Sequence, residues 1–211
     1  GGYFGQHIAR AMHTDGFHTV LLDIAFTHVD RDGFSLDETK TTRIKGSLMD
    51  EPSLENALHN CSLCIHLAAY GMAGASALNS DMTYRVNVLG TLKVLEVCSR
   101  MHCRNVVFAS SVAVCFTDKP LQMATEDGHL FLFQYSKADA EAVVRKANSS
   151  ELRTVALRFR GIFGPGEPRT TEKAAMAIAR GFYFVRFEKS SPAMTQFSGV
   201  DNSAMAWPVE P

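Results

Sequence analysis

What most constrains this chain is an alternation, sustained over most of its length, of short apolar runs with stretches of helical periodicity, opened by the glycine turn Gly1-Gly2-Tyr3-Phe4-Gly5. After the turn, Phe4, Ile8, Ala11 and Met12 recur at helical spacing, and Asp15-Gly16 stops that helix. His18 to Ile24 is a short apolar run suited to a strand buried on both faces. Residues 25–42 are polar and read as a loop. Arg43 to Gly46 is a weak strand, and Asp50 to His59 a short helix with an Asp N-cap and a Pro in its first turn. Leu63 to Ala69 is the next buried strand. Met82 to Met101 reads as a long helix with Val86, Leu89, Val94, Leu95 and Val97 on its apolar stripe. Asn105 to Ser111 is a strand that ends in hydroxyls. A helix over Phe133 to Ala147, a strand over Thr154 to Phe159, a tight loop over Gly161 to Gly166 and a short helix over Thr171 to Arg180 follow, and the pattern then becomes irregular. Successive strands separated by helices require right-handed crossovers, so the expected fold is α/β with a doubly wound parallel sheet.

Charge narrows the function classes. With 21 Lys plus Arg against 22 Asp plus Glu, the chain lacks the excess of one sign that a nucleic-acid surface or a polybasic membrane patch needs. A small molecule or another protein is the expected partner. No apolar run reaches the roughly 18 residues of a spanning helix, and no signal peptide is visible. Five cysteines form an odd set in a chain too long for a disulfide scaffold. Free thiols and an intracellular location, cytoplasmic or associated with the endoplasmic reticulum, are therefore expected.

Gly2-x-x-Gly5 is weak alone, but it opens a helix, and Asp23 ends the following strand 21 residues after Gly2. At that spacing a Rossmann-type dinucleotide fold places an acid on the adenosine ribose hydroxyls, while the glycines let the backbone approach the pyrophosphate at the helix N-terminus. An Asp there repels a 2′-phosphate, so NAD is favoured over NADP.

The motif series resembles the extended short-chain dehydrogenases/reductases, and within them the 3β-hydroxysteroid dehydrogenase/isomerase and sterol dehydrogenase branch. The resemblance rests on Gly2-Tyr-Phe-Gly5, Leu22-Asp-Ile24, Asp50-Glu-Pro-Ser-Leu54, Ile65-His-Leu-Ala-Ala69, Val86-Asn-Val-Leu-Gly-Thr91, Phe108-Ala-Ser-Ser111, Ser136-Lys137, Leu157-Arg-Phe-Arg-Gly-Ile-Phe-Gly-Pro-Gly-Glu167 and Val200-Asp-Asn202. It implies an NAD-dependent oxidoreductase acting on the 3β-hydroxyl of a steroid or other small hydrophobic alcohol or ketone. Implied cofactor contacts are the turn Gly2, Tyr3, Phe4 and Gly5, the acid Asp23, Ser47 and Leu48 near the adenine, Ala68 and Ala69 in the groove, and Gly164 and Pro165 near the nicotinamide. Ser47 stands where relatives usually place an Asp for the adenine, and Phe159 replaces a common Pro. Ser111 corresponds to the catalytic hydroxyl, Asn87 lies in the helix behind the groove, and Lys137 holds the nicotinamide ribose. The resemblance also implies dimerisation through the helices starting at Met82 and Phe133.

The family mechanism needs a Tyr four residues before the Lys, so that the ammonium lowers the phenol pKa. Here that position is Phe133. Tyr135 lies roughly 200 degrees round the helix from it and faces away from Lys137. Three readings follow: a cofactor-binding protein poor in hydride transfer, a distorted helix that brings Tyr135 into the site as a fourth catalytic candidate, or a proton relay through Ser111 or a water chain ending at Lys137.

Other signals carry less. Cys61-x-x-Cys64 with Cys98 and Cys103 is spaced poorly for zinc, and no metal is expected. His66 reads as a satisfied core histidine, and Glu141, Arg145 and Lys146 as a solvated helix face. Residues 1–165 read as the cofactor-binding domain and 166–211 as part of a substrate-binding region. The motif order further suggests the interior of a longer domain, with a central strand of a 3-2-1-4-5-6 sheet lacking before Gly1. On that reading the strands ending at Asp23 and Ala69 each want a neighbour, and residues 1–211 alone are expected to aggregate and to bind NAD poorly.

Overall fold

In the computed structural model the described residues are 1–26, 35–72, 76, 78–115, 129–167, 176, 178–181 and 197–205, of which 115 and 129–131 are described by backbone only. Helix α1 (Tyr3–Thr14) buries Ile8, Ala9 and Met12 on one face. It ends as the sequence anticipates: Gly16 adopts φ +88°, and Phe17 N–H donates to the Met12 carbonyl at 2.9 Å. Only glycine adopts that backbone without strain, which closes the helix in a Schellman turn.

Strand β1 (Thr19–Asp23) pairs in parallel with β2 (Thr41–Lys45). The described residues just before β2, 37–40, form a turn of their own. The Asp37 carboxylate accepts from Thr39 N–H at 2.9 Å, capping a short 3₁₀ turn (Glu38–Lys40), and Thr41 and Thr42 join the strand opposite Thr19 and Val20. Helix α2 (Glu51–Leu58) starts where Asp50 accepts from Ser53 N–H at 3.1 Å. Asp50→Ala is expected to cost about 1 kcal/mol of stability, the usual value of a lost N-cap, measurable by urea unfolding.

Strands β3 (Leu63–His66), β4 (Asn105–Ser111) and β5 (Arg153–Phe159) form a second parallel sheet in that order. β3 is shorter than its apolar run: its register with β4 ends at His66 opposite Phe108, so Leu67, Ala68 and Ala69 lie beyond it. The helix read from Met82 begins at Ser80, where Asn79 caps it, and contains a wide turn. It comprises α3 (Ser80–Tyr84), a π segment (Arg85–Leu89) and α4 (Gly90–Arg100). Helix α5 (His129–Lys146) starts a turn earlier than its pattern shows. The tight loop after β5 contains β6 (Gly161–Phe163), which pairs with β7 (Phe197–Gly199), and α6 (Val200–Met205) follows. Most of the helix expected over Thr171 to Arg180 lies outside the described residues, of which 176, 178 and 179 are helical.

The sheet is covered on both faces. Leu54 and Leu58 from α2, Val94, Leu95 and Cys98 from α4, and Ala140 and Val144 from α5 pack on Val106 and Phe108. Ile8 and Met12 from α1 and Ala204 from α6 pack on the intervening Val107. Alternation along β4 thus serves two cores, the doubly wound arrangement expected. Among the described residues β1 and β3 each pair on one side only, and both line a cleft of about 2160 Å³.

Two discounted signals take concrete form. Cys98 and Cys103 are fully buried, and Cys61 and Cys64 pack against the same core. Among the described residues no group of three His, Cys, Asp or Glu is placed to hold a metal ion. His66 is buried with Nε2 2.9 Å from Thr91 Oγ1, whose own proton goes to the Asn87 carbonyl at 2.6 Å. Thr91 therefore accepts, and burial pushes the His66 pKa down to about 3, so the ring is neutral. No helix among the described residues is long and apolar enough to cross a membrane.

Candidate functional site

Parallel strands bring their C-terminal ends to one rim, and most of the candidate residues collect there. The turn Gly2 to Gly5 and Asp23 line the cleft on the β1 side. Gly2 is the extended N-cap of α1 without a side-chain cap, and a Cβ there would meet nothing within 4 Å. The first turn of α1 therefore opens its amides into free space, which suits an anionic group such as a pyrophosphate. Asp23 Oδ1 accepts from Ala25 N–H at 3.1 Å, and Oδ2 lies 3.0 Å from the Gly1 nitrogen, so the acid and the glycine turn are in contact. Ser47 and Leu48 follow β2 into the cleft, with Ser47 Oγ accepting from Met49 N–H at 3.1 Å. Ala68 and Ala69 line it beyond β3. These residues fit a dinucleotide: open backbone donors for phosphate, an acid beside them and small side chains along the groove.

Gly164 approaches the same turn from the other side. A Cβ on it would fall 2.9 Å from the Tyr3 hydroxyl and 2.4 Å from Val200 Cγ1, so close packing requires glycine there. Pro165 follows in the turn and accepts a hydrogen bond from His7 through its backbone. The Tyr3 hydroxyl is buried without a partner among the described residues, and burial together with Glu167 and Asp201 pushes its pKa up to about 12.

Ser111 ends β4 at the cleft; its Oγ accepts from Ala113 N–H at 3.2 Å and keeps its own proton to donate. Lys137 is 4% exposed and lines the cleft. Its Nζ donates to the Ala109 carbonyl at 2.7 Å and stands 4.4 Å from the centre of the Phe108 ring. No carboxylate among the described residues pairs with it, and burial lowers its pKa to about 8. Phe133, one turn earlier on the same face of α5, lines the cleft, whereas Tyr135 is 65% exposed and points away. The distorted helix that would bring Tyr135 inward is absent, because α5 is regular there and Ser136 and Lys137 hold the inward face.

Asn87 sits behind the cleft in the π segment, 2% exposed. Its amide oxygen accepts from Tyr70 N–H at 2.8 Å, and its nitrogen donates to the Tyr70 carbonyl at 3.0 Å and to Ser136 Oγ at 2.8 Å. Ser136 in turn donates to the Phe133 carbonyl at 2.9 Å. Asn87 therefore ties the loop after β3 to the first turns of α5, and its place in a wide turn matches the association of π-bulges with functional sites. Asn87→Ala is expected to destabilise the protein by about 2 kcal/mol, since it removes two bonds to the half-buried Tyr70 backbone and one to the buried Ser136 hydroxyl, and thermal melts check it.

One expectation is corrected. Glu141 is not part of a solvated face; it is buried, accepts from Ser110 Oγ at 2.6 Å and holds Arg158 through Nη2 at 2.6 Å and Nε at 3.0 Å. The Arg158 guanidinium keeps its carboxyl below the usual range. The signal was legible: Lys137, Ala140, Glu141 and Val144 share the i, i+3, i+4, i+7 stripe that faces the sheet. The pair joins α5 to the ends of β4 and β5, one residue from Ser111 and one turn from Lys137.

The profile of the 3-beta hydroxysteroid dehydrogenase/isomerase family matches residues 1–207. The chain is 34% identical over 165 residues to 3beta-hydroxysteroid dehydrogenase/Delta(5)-Delta(4) isomerase 1 of Caenorhabditis elegans, covering 75% of this chain and 36% of that protein. It is 31% identical over 223 residues to human short-chain dehydrogenase/reductase family 42E member 1, covering 97% and 54%. The chain thus spans about half or less of the length of these relatives. Among solved structures, UDP-glucose 4-epimerase from Brucella ovis in complex with NAD superposes with a TM-score of 0.74 at 24% identity, over 97% of this chain and 68% of that one, which supports the fold. With the family profile matched from the glycine turn through Val200-Asp-Asn202, and the Rossmann-type fold that carries those motifs, the chain belongs to the 3-beta hydroxysteroid dehydrogenase/isomerase family.

Proposed function

We propose that this chain binds NAD and oxidises the 3β-hydroxyl of a steroid or sterol-like substrate. The observation that carries the reading is Lys137: an ammonium held in the interior with no carboxylate among the described residues, lining the same cleft as Ser111, has a cost to stability that a binding or reaction site accounts for. In this reading Gly2 to Gly5 hold the pyrophosphate, Asp23 the adenosine ribose, and Ser47 and Leu48 the adenine. Ala68 and Ala69 line the groove, and Gly164 and Pro165 flank the nicotinamide end. Ser111 donates to the substrate oxygen, Lys137 holds the nicotinamide ribose, and Asn87 fixes the helix that carries it. When bound, NAD supplies the hydride acceptor. A structure of MoeE5, 25% identical to this chain, and a short-chain dehydrogenase/reductase from Agrobacterium tumefaciens, 29% identical, both hold NAD, which supports the cofactor assignment. A sterol-4-alpha-carboxylate 3-dehydrogenase of Candida albicans, 34% identical over 142 residues, supports a sterol class of substrate.

Calorimetric titration with NAD and NADP, together with turnover of a 3β-hydroxysteroid, tests the reading. Asp23→Ala is expected to weaken NAD binding about tenfold while leaving NADP binding within threefold, because the acid that receives the ribose hydroxyls also repels a 2′-phosphate. Equal losses for both dinucleotides would remove Asp23 from the site.

A second reading has its own observation. Phe133 presents a ring without an exchangeable proton to the cleft, which favours a catalytically weak NAD-binding relative that acts through partner binding. NAD binding without steroid turnover selects it. Division into a cofactor-binding part at 1–165 and a substrate-binding part from 166 belongs to the same proposal. So does an intracellular location, supported by the free thiols. A homodimer through α3, α4 and α5 is supported by the exposed Tyr84, Leu89, Leu92 and Tyr135 on those elements and the intervening π segment.

A further inference from the structure

We propose that Lys137 is itself the acid–base group of this chain, taking the proton of the substrate hydroxyl in the role a phenol at position 133 would fill. The inference rests on the oxidoreductase reading above and goes beyond holding a ribose. Its basis is placement. Phe133 has no proton to exchange, and Tyr135 faces outward. Lys137 lies one turn further along the inward face, lines the cleft and is anchored by the Ala109 carbonyl and the Phe108 ring, so among the described residues its position is fixed without an acid.

The groups around it leave the amine free to titrate. His66 on β3 is neutral, Glu141 on α5 is committed to Arg158 on β5 and Ser110 on β4, and Asp139 on α5 is exposed. Burial brings the ammonium down to about 8, the range in which a base works at physiological pH. Ser111 supplies the second polar contact, donating its proton to the substrate oxygen. In the oxidation, the substrate C–H bond breaks with its electron pair passing to the oxidised nicotinamide dinucleotide. The C=O bond forms as the O–H bond breaks, and the hydroxyl proton ends on Nζ, from which solvent removes it. Among the described residues two other phenols line the cleft. Tyr3 is pushed up to about 12 and packs on the Gly164 side, which makes it a poor acceptor, and Tyr70 is held through its backbone by Asn87.

The test compares the protein with Lys137→Ala, Phe133→Tyr and Tyr70→Phe, using NAD and a 3β-hydroxysteroid. Wild-type kcat is expected to rise with unit slope and level off near pH 8, Lys137→Ala to lose at least about 100-fold, and ethylamine to restore part of that loss in proportion to the free amine. Independently of turnover, NMR of 13C-labelled lysine in the dinucleotide-free protein is expected to show one Cε resonance titrating near pH 8 that Lys137→Ala removes. Turnover within threefold in Lys137→Ala, absence of amine rescue, a lysine titrating only near pH 10, or loss of turnover in Tyr70→Phe would each overturn the proposal. If the wild type is inactive and Phe133→Tyr active, the oxidoreductase reading stands and this proposal falls. If neither turns over, the oxidoreductase reading itself falls and takes the proposal with it.

Discussion

Phe133→Tyr is expected to raise NAD-dependent oxidation of a 3β-hydroxysteroid by about tenfold, short of the full 10²–10⁴-fold of a positioned general acid–base group because Lys137 already supplies part of that contribution. The phenol would project from the inward face of α5 into the cleft, one turn before Lys137, with Ser111 at the end of β4 lining the same space. The Lys137 ammonium would lower its pKa across that turn, as the i, i+4 arrangement allows. The backbone is already held for it, since Ser136 bonds the carbonyl of residue 133 and Asn87 bonds Ser136. A phenol adds one oxygen to a side chain that lines open cleft, so stability should change by less than about 1 kcal/mol. Steady-state kinetics of the two proteins, with thermal melts as control, decide the matter. Equal turnover in both would mean that position 133 does not face the reacting hydroxyl.

Lys137→Met is expected to do two opposite things: abolish turnover and make the protein more stable near neutral pH. A pKa lowered from 10.5 to about 8 by burial corresponds to about 3 kcal/mol of penalty on the charged form, at roughly 1.4 kcal/mol per unit. Met removes that penalty and fills similar volume, but forfeits the bond to the Ala109 carbonyl and the contact with the Phe108 ring. The net gain at pH 7 should be about 1–2 kcal/mol. The sign with pH follows from proton counting. Between the folded value near 8 and the unfolded 10.5, the unfolded chain binds more protons, so wild-type stability rises with pH across that window. Below pH 8 the penalty is present in full; above 10.5 it is gone. The advantage of Lys137→Met should therefore shrink from pH 8 upward, and urea unfolding of both proteins at pH 7 and pH 10 reads it. A variant less stable than wild type at pH 7 would show that the ammonium is solvated or paired.

Much of this was legible from spacing. Helical periodicity and the Asp50 and Gly16 signals located α1 and α2, because caps and stops are local chemistry. The i, i+4 relation between Phe133 and Lys137, and the outward direction of Tyr135, follow from helix geometry alone. Other features were hidden for physical reasons. The π segment at Arg85–Leu89 leaves no periodicity of its own, since one widened turn shifts the apolar stripe by a single position. β6 and β7 are three residues each and are defined by pairing across more than thirty residues, so no local pattern announces them. Glu141 was misread because a charge on a helix is usually solvated; only the arrival of Arg158 and Ser110 from two strands makes its burial tolerable.

The sequence by itself determined the alternation of strand and helix, the glycine turn with its acid at the end of the next strand, and the absence of a phenol four residues before Lys137. These are consequences of residue order and of fixed helix and strand periods. Only the tertiary structure decided that Lys137 is buried with no carboxylate beside it among the described residues, that Asn87 braces the first turns of α5 through Ser136, and that Glu141 locks that helix to the strand ends. Desolvation and hydrogen bonding depend on neighbours brought together from distant parts of the chain. The proton chemistry of this cleft is therefore set by packing, while the fold that makes the cleft is set by pattern.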